Sequence, residues 1–392
     1  MNNHQAFRED VIRRCGATEA ETEELLRYNE NVFDHGQTYL GFPLEDEPFV
    51  EAWAQYARAS EHGDVFDTLK EQLIQFQFPI QEGISQSDAY QAAIRRGHLN
   101  GHAAQHQGLE LVNPDALRLM LYPTPAGRIP VLITTERADF VRLVQALTRR
   151  NEPQPIPPSM GACMVAGYNN WARIRALRLQ WSTQHPGAIE AEWKQVFRRI
   201  IPQKALYQDR FILLSDGPYS AVPAASLGLT DAEWRSFSLT IRLEHECTHY
   251  FTRRVLGSMR NALFDELLAD YMGLVVALGR FRADWFLRFM GLERFPHYRE
   301  GGRLQNYRGK PPLSDGAFQH LQTLVHSAAE NLERFDRQRS LDLNTPERKA
   351  WLLWAVSQLT LEQLAAENGA ALIDQTVTDV ARMYQDVSYS SF

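Results

Sequence analysis

Leu243-Glu244-His245-Glu246-Cys247-Thr248-His249, followed by Phe264-Asp265-Glu266-Leu267-Leu268-Ala269-Asp270, is the stretch on which the reading of this chain turns. His245 and His249 are four residues apart. On a helix they share one face, one turn apart, and can grip a single ion, with Glu246 beside the open side where a metal-bound water would sit. The apolar-periodic run from Trp234 to Leu256 stops at Gly257, a helix terminator. Ser258 to Asn261 make a short connection, with Asn261 as N-cap, and a second helix is predicted from Ala262 to Leu278. So short a connection implies antiparallel neighbours. His249 precedes the end of its helix by about 10 Å and Glu266 follows the start of the next by about 6 Å, at 1.5 Å per residue. The two come to one level, and Glu266 can complete a ligand set. Two imidazoles, one carboxylate and a water are the standard open arrangement of a catalytic zinc, so one Zn2+ per chain is the expected cofactor. Asp270, one turn beyond Glu266, can accept the second N–H of a liganding imidazole, and Asp265 is another candidate for that task.

These residues resemble the gluzincins, the thermolysin-like clan of zinc metallopeptidases. Their pattern is H-E-x-x-H, then E-x-x-x-D on a following helix, often preceded by Asn or Asp. The resemblance implies that His245, His249 and Glu266 bind zinc and that Glu246 is the general base. It further implies that Asp270 supports His245 and Asp265 supports His249. The gluzincins usually add a downstream Tyr or His that stabilises transition-state charge. His297, Tyr298, Tyr307 and Tyr271 are available, and the sequence does not choose among them. The metzincin pattern needs Gly at 252 and His at 255, where this chain has Thr252 and Val255, and is excluded. The gap from His249 to Glu266 is short for thermolysin itself, so no closer subfamily follows. The implied activity is hydrolysis of a peptide or similar amide in a peptide or protein substrate, by a zinc-activated water with Glu246 as general base. The alternative is a non-catalytic zinc-binding protein, or a helical interaction protein with a degenerate site. Glu246 favours the enzyme, because a purely structural zinc has no use for a base.

Working outward, 392 residues with 44% hydrophobic content suffice for a substantial core. The expected class is α+β, mainly helical, with a zincin-like catalytic core, a small mixed sheet and flanking helical lobes. Three consecutive segments are expected: a mainly helical N-terminal region with a short β segment over 1–150, the catalytic core over 151–312, and a helical lobe over 313–392. A net charge of −7 gives no reason to expect nucleic acid. The polar N-terminus lacks the apolar core of a signal peptide, and no run is long enough to span a bilayer. Three cysteines, Cys15, Cys163 and Cys247, make no disulfide framework, which fits a reduced, cytoplasmic setting. Cys247 reads as a small packed residue. Oligomeric state is open.

Helices are predicted over Thr18–Phe33 (a capping box from Thr18 and Glu21), Glu47–Ala59, Val65–Phe76, and Ser85–Arg96, capped by Ser85 or Ser87. His98, His102 and His106 recur every four residues, but Gly101 interrupts them, so a polar loop is expected. Strands are predicted over Leu109–Val112, Leu117–Tyr122 and Ile129–Thr134, then a helix over Arg137–Arg149 and a proline-rich break. Ala162–Ala166 and Phe211–Leu214 read as further strands, with a helix over Trp193–Ile201 between them. If the zincin layout holds, 162–168 or 211–214 is the strand that pairs with extended substrate. Asp284–Met290 reads as helix and Glu293–Pro311 as loop, where Arg299, Arg303 or Arg308 could hold a substrate carboxylate. Helices over Ala317–Phe335, Thr345–Glu367 and Ala370–Tyr384 complete the chain.

Overall fold

The computed structural model describes residues 3–36, 41–61, 63–97, 108–339 and 341–389. The fold is α+β and mainly helical, with one small four-stranded mixed sheet. His98, His102 and His106 lie outside the described residues. Where three consecutive segments were expected, the chain divides into two compact units, each discontinuous in sequence. One, the sheet unit, comprises Glu45–Pro123 and Gly127–Gly217, and the other, the helical unit, comprises Met1–Leu44, Thr124–Ala126 and Pro218–Phe392. Among the described residues no helix is long and apolar enough to cross a membrane.

The sheet has the order β1 (Arg118–Thr124), β2 (Gly127–Thr134), β4 (Gln208–Ser215), β3 (Ala162–Asn169). β2 runs parallel to β4, with Val131 opposite Ile212, and β3 runs antiparallel to it, with Met164 opposite Ile212. The unbroken apolar run Phe211–Leu214 is fully buried, as expected of a strand covered on both faces. Because β4 has a partner on each side, residues 211–214 have no free edge to offer an extended peptide, and of the two candidate strands β3 is the one at an edge of the sheet. The helices Phe49–Ser60, Val65–Gln72 and Arg137–Thr148 contribute Trp53, Phe66, Phe140 and Val144 to the core that contains Phe211.

One expectation fails here, and one helix was not foreseen. Leu109–Val112 is not a strand, because its backbone bonds elsewhere: Leu109 N–H donates to the Phe76 carbonyl, and the Val112 and Asn113 N–H groups donate to the buried Asp139 carboxylate at 2.6 and 2.9 Å. Residues Trp171–Gln184 form a helix that the sequence did not announce, since apolar and basic residues are spread around it.

In the helical unit the motif helix is Asp231–Val255, one turn longer at its start than expected. Thr230 and Glu233 form a reciprocal capping box there, satisfying two otherwise orphan N–H groups. The helix gives way to Gly257 at φ +71°, and the ligand helix Ala262–Leu278 begins after Asn261. Asn261 stands at the N-cap position without capping: its side chain accepts from Val32 N–H and donates to Asn31. The motif and ligand helices touch at Gly273, where an added Cβ would sit 2.7 Å from the Ile241 carbonyl oxygen. Only a glycine permits that approach. Lys349, on the helix Pro346–Ser357, pairs with buried Glu244 at 2.6 Å and anchors the motif helix from behind. The helix expected over Thr345–Glu367 is broken, because Thr360 and Gln363 form a new capping box and start Leu361–Ala365.

Candidate metal centre

The helical spacing does what the sequence reading required. His245 and His249, 7% and 6% exposed, bring their Nε2 atoms within 3.0 Å of each other. Glu266 on the ligand helix presents its two carboxylate oxygens to them, each 3.5 Å from one Nε2. These three residues could hold a metal ion, with one ligand atom from each lying within 4.8 Å of the others.

The far side of each imidazole is backed by a carboxylate. His245 Nδ1 lies 2.8 Å from Asp270 Oδ1, and His249 Nδ1 lies 3.0 Å from Asp265 Oδ2. A carboxylate at Nδ1 favours a proton there and leaves Nε2 its lone pair. The pairings are those the resemblance implied.

Two bare lone pairs 3.0 Å apart repel unless something positive lies between them. Burial opposes a charged His249, yet Asp265 and Glu266 hold its pKa well above the ordinary histidine value. Burial also opposes a charged Glu266, and His249, His245 and Arg303 outweigh it, holding that carboxylate below its usual range. The pocket thus stabilises a positive charge where the three donors converge. Asp265, Glu266 and Asp270 are three acidic side chains set around the Arg303 guanidinium and the two imidazoles, with Glu246 a fourth acid beside them. Among the described residues Asp265 Oδ1 is buried and has no hydrogen-bond partner, while Oδ2 of the same carboxylate faces His249.

Glu246 is half-buried, next to His245 on the motif helix, and among the described residues its carboxylate makes no hydrogen bond or ion pair. Of the residues considered as transition-state stabilisers, Tyr307 reaches the centre, donating to Glu266 Oε2 at 2.7 Å. Its own backbone carbonyl accepts from Tyr28 OH. The other three do not fit that role. His297 is exposed, Tyr298 donates to the Gly302 carbonyl at 2.7 Å, and Tyr271 faces Asp336 at 3.2 Å. None of these three makes a hydrogen bond or ring contact to the three donor residues.

The loop arginines are likewise committed within the protein. Arg299 binds Glu293, Arg308 binds Asp315, and Arg303 donates to Asp270 Oδ2. Tyr219 and Ser220, in the turn before the motif helix, are residues the sequence reading did not reach. Tyr219 OH donates to Asp270 Oδ1 at 2.5 Å and lies 2.9 Å from His245 Nδ1, and Arg303 Nη1 donates to it at 2.9 Å. Ser220 Oγ accepts from the same guanidinium at 3.1 Å. Gly217-Pro218, directly before Tyr219, is the turn signal in the sequence that points there. Cys15, Cys163 and Cys247 form no disulfide, and Cys247 is packed in the core with its thiol pKa pushed up by burial.

No curated protein and no solved structure matches the chain. The model of a family of unknown function, DUF7005, matches residues 10–368, nearly the whole length, and the chain belongs to that family.

Proposed function

We propose that the protein is a zinc-dependent hydrolase of peptide or similar amide bonds, with His245, His249 and Glu266 as metal ligands and Glu246 as general base. The observation that carries this reading is the convergence of two carboxylate-backed imidazole Nε2 atoms and one carboxylate on a single point. Beside that point stands an acid, Glu246, whose carboxylate is not engaged by any described residue. A zinc ion held there supplies Lewis acidity and lowers the pKa of a water it binds.

The chain's own residues supply the rest. Asp270 and Asp265 orient the two imidazoles and keep their protons on Nδ1. Glu246, half-exposed and unpaired among the described residues, can take a proton from the attacking water and deliver it to the leaving amine. Tyr307 donates to Glu266 and holds that carboxylate's orientation, and the same hydroxyl is the nearest candidate for stabilising charge on a reacting carbonyl. A structural zinc site would be closed by a fourth protein ligand. Here, among the described residues, the group of possible ligands stops at three.

The test is metal content and turnover together. About one zinc per chain is expected in the wild type, falling sharply in Glu266→Ala, while Glu246→Gln keeps the metal and loses cleavage of a peptide pool. Zinc bound without cleavage, in wild type and Glu246→Gln alike, would favour a binding protein. A chain that takes up no zinc would leave the two helices as scaffold.

A further inference from the structure

We propose that Tyr219 is a positioning residue that locks His245 in the tautomer with Nε2 bare, and that it is part of the machinery that gives the site its metal affinity. The inference rests on the reading of His245, His249 and Glu266 as metal ligands.

The argument is a count of protons. The Tyr219 hydroxyl has one proton and two committed neighbours. Asp270 Oδ1, at 2.5 Å, can only accept, and Arg303 Nη1, at 2.9 Å, can only donate. Giving the proton to His245 Nδ1 instead would leave that nitrogen's lone pair facing Asp270 Oδ1 at 2.8 Å, so the proton goes to Asp270 and the phenol oxygen is an acceptor on its other side. His245 Nδ1 then faces two acceptors, the phenol oxygen at 2.9 Å and Asp270 Oδ1 at 2.8 Å, and must carry a hydrogen. An imidazole protonated at Nδ1 and neutral has its lone pair on Nε2, on the side of His249 and Glu266. Asp270 alone would leave this to one hydrogen bond. With Tyr219 and Arg303 in place, the donor and acceptor directions allow one arrangement.

The turn that carries Tyr219 is built for this placement. Ser220 and Ala221 have φ of +51° and +55°, two consecutive non-glycine residues in the left-handed region. Such strain persists only where the surroundings enforce it. Three side chains of the motif helix enforce it here. Ser238 Oγ accepts from Tyr219 N–H at 3.0 Å, Arg242 Nη2 donates to the Pro218 carbonyl at 3.1 Å, and Trp234 Nε1 donates to the Val222 carbonyl at 2.7 Å. Trp234, Ser238, Arg242 and His245 lie along one stripe of that helix. The helix that carries His245 thus also grips the turn that returns a hydroxyl to it. The ring is held as firmly: the guanidinium groups of Arg303 and Arg242 lie 5.3 and 5.6 Å from its centroid, and Phe289 meets it edge-on at 5.1 Å. Among the described residues His249 has nothing comparable, since its Nδ1 has Asp265 Oδ2 alone.

The experiment measures zinc dissociation constants by competition with a chelator of known affinity, for wild type, Tyr219→Phe and Tyr271→Phe. Tyr271 is the control, a buried tyrosine of the same unit whose hydroxyl serves Asp336 instead. Tyr219→Phe is expected to bind zinc about 10-fold or more weakly, the usual cost of losing a group behind a liganding histidine, with Tyr271→Phe unchanged. Affinity equal to wild type in Tyr219→Phe overturns the proposal, and so does an equal loss in both variants. A wild-type chain that takes up no zinc overturns the metal reading along with it. If Tyr219→Phe does not fold, the histidine 15N spectrum of metal-free wild type decides: His245 protonated at Nδ1 supports the lock, and His245 protonated at Nε2 alone overturns it.

Discussion

Each unit buries a carboxylate in a network of donors, and the two networks differ in one respect. Asp209, 1% exposed in the sheet unit, accepts from Trp53 Nε1 at 2.9 Å, Asn170 Nδ2 at 2.6 Å and Arg173 Nη1 at 2.6 Å. Asp270, fully buried in the helical unit, has Tyr219, His245 and Arg303. Burial prevails at Asp209 and raises its pKa despite Asn170 and Arg173. At Asp270 burial is outweighed by Arg303 and His245, and the pKa is lowered. The first network ties three elements of one fold together and ends there. In the second, one donor is an imidazole, and fixing its near nitrogen defines the lone pair on its far one. A buried acid with good partners is not by itself a sign of chemistry. The sign is a partner with a second face left to bind something else.

The sharpest way to break this contrast is to remove each acid in turn. Asp270→Ala is expected to lower zinc affinity about 100-fold, read by chelator competition. Asp209→Ala is expected to leave zinc affinity at the wild-type value while costing about 3–5 kcal/mol in denaturant unfolding, because Arg173 is left buried without its counter-charge. Zinc loss in Asp209→Ala would mean that the two networks are not separable. Next in size is Gly273→Ala, where a methyl must displace the Ile241 carbonyl. About 1–3 kcal/mol of destabilisation is expected, with weaker zinc binding because the ligand helix moves relative to the motif helix. A stable variant with intact zinc affinity would show that the helix contact is slack. The smallest effect expected is that of Tyr307→Phe. One hydrogen bond to Glu266 is lost, and zinc binding should weaken about fivefold, the equivalent of a net hydrogen bond of about 1 kcal/mol. A cleavage rate falling much further than affinity would assign Tyr307 to the reacting carbonyl.

What the sequence disclosed follows the range of each interaction. His245, His249 and Glu266 were legible because helix periodicity fixes i, i+4 neighbours, and a short connection fixes which helix comes back. Asp265 and Asp270 followed from the same two helices. Tyr219 and Arg303 were not legible as partners: they approach Asp270 from 51 and 33 residues away, through a turn whose left-handed residues are Ser220 and Ala221, not the glycine that would mark such a turn. The three loop candidates for charge stabilisation, His297, Tyr298 and Tyr307, could not be ranked for the same reason, since loop 293–311 has no period that aims its side chains. In the sheet unit, strands β1, β2, β3 and β4 announced themselves by apolar runs. The run at Leu109–Val112 looked alike and failed because Asp139 takes up its backbone donors.

The division of the helical unit into distant stretches of chain has a consequence for the order of events during synthesis. Phe33 packs against Phe264 and Phe42 against Phe251, so the first forty or so residues wait for partners more than 200 residues later. At about 5–20 residues per second, that is roughly 10–40 s on the ribosome. We expect the sheet unit to fold within this interval, which protease resistance of 45–217 in chains stalled past the sheet unit would test, with cleavage throughout that span counting against it. Until the motif and ligand helices emerge, the early apolar side chains have no place to bury, and whatever shields them in the meantime helps to set the yield of metal-competent protein.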